Sequence, residues 1–153
     1  MGNLQENEET SDLHSESAIV VAVDDEQIIL ELYKATLASY CNLCTFSNAR
    51  DAFQFISENK VSLVIVDRHI PGMSGDELCT RLRTQPKTQN IPIIVVSGIL
   101  KDIEEIAEMM TKKSIETYLT KPISINRLIS NVQFYLNKGK NRKAESSVSI
   151  DDM

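Results

Sequence analysis

The sequence predicts a doubly wound α/β fold, in which helices cover both faces of a parallel sheet. Three short runs of apolar, largely β-branched residues carry this prediction: Ile19–Val23, Leu63–Val66 and Ile93–Val96. Strands that are apolar at every position are buried on both faces, which is typical of a parallel sheet covered by helices. Segments with helical periodicity lie between these runs, so strand and helix alternate along the chain. Each strand and the helix after it form a β-α unit, and right-handed connections between these units place all the strands in one parallel sheet.

The remaining elements follow in order along the chain. Weaker strands are predicted near Leu43–Phe46 and Thr117–Thr120, which brings the number of strands to five. Apolar residues recur every three or four positions in the connecting segments, so each segment presents one apolar helix face. Pro122 marks a break before the last helix, and Ser124 is a suitable cap for it. The five predicted helices cover Ile29–Leu37, Asn48–Ser57, Ser74–Thr84, Ile103–Met110 and Ile125–Leu136.

Length and charge limit the domain organisation and the classes of partner. The chain has 153 residues and a net charge of −6, and residues 1–17 carry five acidic and no basic side chains. We expect 1–17 to form a disordered acidic tail, 18–137 one folded domain, and 138–153 a flexible polar tail. The balance of charge does not favour nucleic-acid binding. No apolar run is long enough to cross a membrane, and the N-terminus lacks a signal-peptide pattern, so we expect a cytoplasmic protein.

Chemically active side chains follow the predicted strands. In a doubly wound sheet the functional crevice lies at the carboxyl ends of the strands. Asp24 and Asp25 follow the first strand, Asp67 the third, Ser97 the fourth and Lys121 the fifth. Each of these residues alone is an ordinary capping, turn or surface residue. Their arrival at successive strand ends instead predicts one site.

Carboxylates gathered in one place repel each other unless a cation neutralises them. Magnesium, a hard ion with oxygen ligands, suits a site that also holds phosphate. Lys121 supplies a further positive charge and Ser97 a hydrogen-bond donor. The set indicates phosphoryl transfer to a carboxylate, with Asp67 as the nucleophile.

These residues lie in motifs that resemble the response regulator receiver family over about residues 18–137. The pattern Asp-x-x-x-Pro-x-x-x-Gly, followed at the right distance by Lys-Pro, is a specific signature. The matching motifs are Asp24-Asp25, Asp67-Arg68-His69-Ile70-Pro71-Gly72-Met73-Ser74-Gly75, Val95-Val96-Ser97-Gly98 and Leu119-Thr120-Lys121-Pro122. The resemblance implies a flavodoxin-like sheet of order 2-1-3-4-5 that accepts phosphate on Asp67.

The resemblance also implies roles for individual residues. Magnesium would be held by Asp25, Asp67 and the backbone carbonyl of His69, with Asp24 reaching it through water. Ser97 would contact the phosphoryl group, and Tyr118 would be the aromatic residue of the conformational switch.

The resemblance implies partners as well. These are a histidine kinase or histidine phosphotransfer protein as the phosphodonor, and a downstream protein target. The protein would be a signalling switch rather than an enzyme, and a monomer or a weak dimer. The same motifs leave open whether the receiver stands alone or belongs to a hybrid histidine kinase or a larger regulator.

The sequence departs from the family pattern before the fifth strand. Ser114-Ile115 stand where the family usually has Gly-Ala, which leaves the shape of that loop open. Apolar Ile99, two residues after Ser97, predicts slow hydrolytic loss of the phosphoryl group because it cannot orient water.

Other functions fit less well. A phosphatase of the haloacid-dehalogenase type needs a second Asp two residues after the nucleophile, where His69 stands. A flavodoxin-like cofactor binder needs a phosphate loop after the first strand, where Asp24-Asp25-Glu26 would repel phosphate. Cys41-x-x-Cys44 has zinc or redox spacing, but a zinc site needs two more ligands.

Overall fold

The structure, a computed structural model, describes residues 17–98, 103–112 and 114–148. It confirms the predicted fold: five parallel strands form one sheet in the order β2-β1-β3-β4-β5, connected by helices. The strands are β1 (Ile19–Val23), β2 (Asn42–Phe46), β3 (Leu63–Asp67), β4 (Ile93–Ser97) and β5 (Thr117–Thr120). The helices are α1 (Gln27–Leu37), α2 (Ala49–Glu58), α3 (Gly75–Thr84), α4 (Ile103–Lys112) and α5 (Ile125–Val148).

The core has two halves, one on each face of the sheet. Side chains alternate along β1, so Val21 and Val23 pack on one face with Leu78 of α3 and Met109 of α4. Residues on the other face pack against α1 and α5. Members of this second cluster include Val20, Ala22, Leu30, Tyr33 and Leu128. Every residue of β3 and β4 is buried, which explains why these strands are apolar almost throughout.

The register of the strands brings their carboxyl ends to one edge. Val23 is paired with Val66, Asp67 with Val96, and Ser97 with Thr120. Residues that directly follow β1 and β5 therefore lie near the end of β3. This edge contains all the side chains for which the sequence predicts phosphoryl chemistry.

Polar side chains set the beginning of three helices. The Asn48 side chain accepts a hydrogen bond from Asp51 N, and the Ser74 hydroxyl accepts one from Glu77 N. The Ser124 hydroxyl accepts from Arg127 N at 3.4 Å, at the position where the sequence predicts a cap. Such bonds satisfy backbone N–H groups that have no partner inside the first turn.

The last helix continues beyond the predicted domain boundary at residue 137. The helix α5 runs to Val148, into the segment for which the sequence predicts a flexible polar tail. Residues 138–148 contain no proline and include several residues of good helix propensity, so the backbone continues in helical conformation without an apolar face. Residues 1–16 of the tail predicted at 1–17 lie outside the described residues, as do the end of the chain at 149–153 and the prediction for Ile99. None of the helices in the described part of the chain is both long and apolar enough to cross a membrane.

Candidate active site

Asp24 is the most deeply buried carboxylate of the strand-end cluster. It directly follows β1, is fully buried, and its Oδ1 accepts a hydrogen bond from Glu26 N at 2.9 Å. Burial raises the pKa of the Asp24 carboxyl above its usual value, and the charge of Asp67 acts in the same direction. The Glu26 amide and Lys121 oppose this rise. A carboxylate in this position therefore needs a nearby cation.

Asp67 is the last residue of β3, and 6% of its surface is exposed. One carboxylate oxygen, Oδ1, accepts a hydrogen bond from His69 N at 3.1 Å. The other, Oδ2, accepts one from Lys121 Nζ at 2.9 Å. The carboxylate is thus held in one orientation by a backbone amide and an ammonium group, at the edge of the sheet.

Lys121 lies between two carboxylates. Its Nζ is 2.9 Å from Asp24 Oδ2 and 2.9 Å from Asp67 Oδ2. Burial by itself lowers the pKa of Lys121, but hydrogen bonds and charge from Asp24 and Asp67 outweigh it and raise the pKa above its usual value. Lys121 therefore remains a cation that both carboxylates share.

The carboxylates of Asp24, Asp25 and Asp67 form a donor set for a hard metal ion. One oxygen from each lies within 4.8 Å of the others, and Asp25 is exposed to solvent. Three carboxylates against one lysine leave an excess of negative charge, which a divalent cation with oxygen ligands would neutralise. The chemistry of this donor set fits Mg²⁺.

The remaining predicted site residues lie around this cluster. Ser97 is fully buried at the end of β4, and its carbonyl accepts a hydrogen bond from Lys121 N at 3.0 Å. The side chain of His69 is exposed, and its backbone carbonyl as a metal ligand stays a prediction. Tyr118, in β5, is half-buried against the core on the face that α2, α3 and α4 cover. The structure thus brings Asp24, Asp25, Asp67 and Lys121 together, with Ser97 on the neighbouring strand.

Gly75 allows α3 to begin directly against the end of β3. A Cβ atom at this position would lie 2.3 Å from the carbonyl oxygen of Asp67 and 2.9 Å from the Cα of Arg68. Both neighbours are backbone atoms, so they cannot move aside as a flexible side chain could. The glycine of the sequence motif is therefore required by the close approach of helix and strand.

The sequence analysis did not assign a role to Arg68, the residue that directly follows Asp67. Its side chain is buried. Its Nε donates to both carboxylate oxygens of Asp76, at 3.2 Å each, and its Nη2 donates to Glu105. Asp76 lies in the first turn of α3 and Glu105 in the first turn of α4. A sequence signal was present, because a charged residue directly after a wholly buried strand needs buried partners.

The loop before β5 contains a serine in a backbone conformation that favours glycine. Ser114 has a positive φ of 50°, the region in which glycine is favoured. Its carbonyl accepts a hydrogen bond from Arg83 Nη2 at 2.8 Å, and Ile115 is buried. The serine is thus held by a hydrogen bond in a conformation that glycine adopts more easily.

The two cysteines of the Cys41-x-x-Cys44 segment are both free thiols. Cys41 is buried, and burial raises its pKa to about 11. Among the described residues, the group of potential metal ligands is the aspartate cluster rather than these thiols. A buried thiol with a raised pKa is a poor nucleophile and a poor metal ligand at neutral pH.

Comparison with known proteins agrees with this arrangement. A family model for the response regulator receiver domain matches residues 20–133. The phosphate regulon transcriptional regulatory protein PhoB of Rhizobium meliloti is 30% identical over 122 residues, which cover 79% of this chain and 53% of that protein. The transcriptional regulatory protein YvrH of Bacillus subtilis is 28% identical over 134 residues, which cover 86% of this chain and 54% of that protein. The chain thus spans about half the length of these two relatives.

A shorter relative matches over nearly its full length. The polar-differentiation response regulator DivK of Brucella anthropi is 27% identical over 118 residues, which cover 76% of this chain and 94% of that protein. Among solved structures, the signal receiver domain of a LuxO repressor protein from Vibrio parahaemolyticus has a TM-score of 0.75 and 25% identity, with 84% of this chain and 96% of that chain covered. Because the family model matches well over half of the sequence, the chain belongs to the response regulator receiver domain family.

Proposed function

We propose that this protein is a phospho-accepting switch that takes a phosphoryl group on Asp67. Receiver domains are signalling switches, and as a family they interact with histidine kinases or phosphotransfer proteins and generally bind Mg²⁺ at an acidic pocket. The observation that carries the proposal for this chain is the position of Asp67. Its carboxylate ends a buried strand between Lys121 and the His69 amide, beside two further aspartates.

The proposed reaction is an attack by an Asp67 oxygen on the phosphorus of a phosphohistidine. An O–P bond forms, the N–P bond breaks, and its electron pair returns to the imidazole of the donor. Lys121 offsets the negative charge of the phosphoryl oxygens, and the Ser97 hydroxyl donates a hydrogen bond to one of them.

Asp24, Asp25 and Asp67 are proposed to hold Mg²⁺, together with the backbone carbonyl of His69. The ion would neutralise charge on the transferring phosphoryl group. Lys121 already shares its charge between Asp24 and Asp67, so a phosphoryl group on Asp67 would compete with Asp24 for it. Through this competition, phosphorylation would change the contacts of Lys121 at the ends of β1, β3 and β5.

The output of the switch is proposed to be a protein–protein contact on the side of α4, β5 and α5. Ser97 and Tyr118 lie on the adjacent strands β4 and β5, with Val95 and Tyr118 paired in register. A phosphoryl group that engages Ser97 would therefore alter the ends of the two strands that support this face.

We further propose that residues 18–137 act as the receiver unit of a stand-alone regulator. The match to DivK over 94% of its length favours this organisation, whereas the matches to PhoB and YvrH favour a receiver within a longer regulator. A cytoplasmic location and a monomeric or weakly dimeric state belong to the same proposal. The mass of the natural protein, measured in its own cells, distinguishes the two organisations.

Phosphorylation in the absence of any kinase tests the acceptor. Incubation with acetyl phosphate and Mg²⁺ should add one phosphoryl group to the wild-type protein, as measured by intact mass. The variant Asp67→Asn should gain none, and a chelator should abolish the gain in the wild type. Asp51→Asn, which changes an exposed carboxylate of α2, should behave as wild type. A wild-type mass that stays unchanged would refute the proposal.

A further inference from the structure

Arg68 has a contact pattern that the proposed phosphoryl chemistry does not use. It directly follows Asp67, and only 8% of its surface is exposed. Side chains alternate along the strand, so Arg68 points away from the Asp67 carboxylate, toward the helices α3 and α4. A buried guanidinium requires partners, and it has one carboxylate from each of these helices.

One side of Arg68 is firmly attached to the sheet and to α3. Its backbone N donates to Val96 O at 2.9 Å, and its carbonyl accepts from Gly75 N at 3.1 Å. The Nε bonds to both oxygens of Asp76 fix the guanidinium on the first turn of α3. Arg68 therefore moves with β3 and α3.

The other partner of Arg68 lies on α4. Of the α4 side chains that the structure describes, which are Glu104, Glu105 and those at 107–112, only Met109 is buried. The pair between Arg68 Nη2 and Glu105 Oε1 is therefore a polar contact that joins the first turn of α4 to the end of β3. Glu105 itself is about half exposed, so it can leave this pair without the loss of a buried contact of its own.

We propose that Arg68 is a positioning residue for α4, and that its pair with Glu105 favours the arrangement of α4 in the unphosphorylated protein. This inference rests on the proposed phosphorylation of Asp67. Ser97 ends β4 and α4 begins six residues later, at Ile103. We propose that a shift of Ser97 toward a phosphoryl group is passed along this short connection and displaces the first turn of α4 relative to β3. Glu105 lies in that turn, whereas Arg68 is fixed by Asp76 and the sheet. The Arg68–Glu105 pair is then weakened in the phosphorylated state while Arg68–Asp76 persists.

Thermodynamic linkage gives this inference a measurable consequence. An interaction that exists only in the unphosphorylated arrangement lowers the apparent affinity for any ligand that requires the other arrangement. The beryllium trifluoride anion, with Mg²⁺ present, is a tetrahedral stand-in for a phosphoryl group on Asp67. Glu105→Gln should therefore bind this anion about two- to fivefold more tightly than wild type, since partly exposed ion pairs contribute roughly 0.4–1 kcal/mol.

The experiment measures the dissociation constant for beryllium fluoride by calorimetry, together with the free energy of unfolding in its absence. Glu104→Gln is the matched control, because it removes the same charge from the same turn of α4 and its side chain is exposed. We expect Glu104→Gln to bind with wild-type affinity. Adding Arg68→Gln to Glu105→Gln should give no further gain in affinity, because the pair is already absent.

Two outcomes would overturn the inference while leaving the acceptor site in place. Equal affinity of Glu105→Gln and wild type, with lower stability of the variant, would mean that the pair is the same in both states and merely structural. An equal gain in Glu104→Gln would mean that long-range charge is the cause. A wild-type protein that neither binds beryllium fluoride nor gains a phosphoryl group would instead refute the proposed function, and the inference with it.

Discussion

At the scale of single residues, the site depends on one lysine placed between two carboxylates. Lys121 is 2.9 Å from both Asp24 and Asp67, and 17% of its side chain is exposed. Lys121→Gln would leave two facing carboxylates without this cation, so we expect a loss of about 1–3 kcal/mol in the free energy of unfolding without Mg²⁺. Mg²⁺ should restore part of the loss because it neutralises the same carboxylates. Chemical denaturation with and without Mg²⁺ measures both effects.

The control for this prediction is Lys112→Gln. Lys112 also pairs with a carboxylate, that of Glu108 at 2.7 Å, but both side chains are largely exposed. Solvent screens such pairs, so this variant should unfold like the wild type. If Lys121→Gln were as stable as wild type in the absence of Mg²⁺, Lys121 would not be compensating the carboxylates.

At the scale of elements, the site depends on how closely α3 approaches the end of β3. Gly75→Ala would place a Cβ 2.3 Å from the Asp67 carbonyl oxygen, and backbone would have to shift to accept it. We expect a loss of about 1–3 kcal/mol in the free energy of unfolding, as for other overpacked positions. Thermal or chemical denaturation measures this loss.

Gly139→Ala is the control, and we expect it to change the free energy of unfolding in the opposite direction. Gly139 lies inside α5, and apart from the backbone of that helix and the two neighbouring residues, no described atom lies within 4 Å of a Cβ built on it. Alanine favours a helix interior over glycine by up to about 1 kcal/mol, so this variant should be neutral or more stable. Similar losses at the two glycines would contradict the role of close approach at Gly75.

At the scale of the whole molecule, the carboxylate cluster exists only when the sheet is folded. Asp24 and Asp25 are more than 40 residues away from Asp67 in sequence, and the pairing of β1 with β3 brings them together. A cation that binds this cluster must therefore stabilise the folded state, by about 1.4 kcal/mol when its concentration is about ten times its dissociation constant. We expect the melting temperature to rise with Mg²⁺ concentration.

Asp25→Asn distinguishes site binding from a general effect of salt. The variant loses one proposed ligand and one repulsive charge, so without Mg²⁺ it should be at least as stable as the wild type. Its melting temperature should respond much less to Mg²⁺. If Mg²⁺ raised the melting temperature of Asp25→Asn and of the wild type equally, its effect would not come from binding to this cluster.

Much of the fold follows from local pattern. The apolar runs of β1, β3 and β4 identify buried parallel strands, and the predicted helices begin within two residues of the observed ones. The end of α5 was not predictable in the same way. Its last residues lack an apolar face, so periodicity gave no reason to extend the helix to Val148.

The sequence by itself determined which chemical groups stand at the strand ends, because strand boundaries and residue types are both local properties. Only the tertiary structure decided how those groups share their charges. Lys121 lies between Asp24 and Asp67, and Arg68 joins α3 to α4, because sheet register and helix packing bring distant segments together. Electrostatic interactions depend on distance and burial, and both are set by the packed fold rather than by position along the chain.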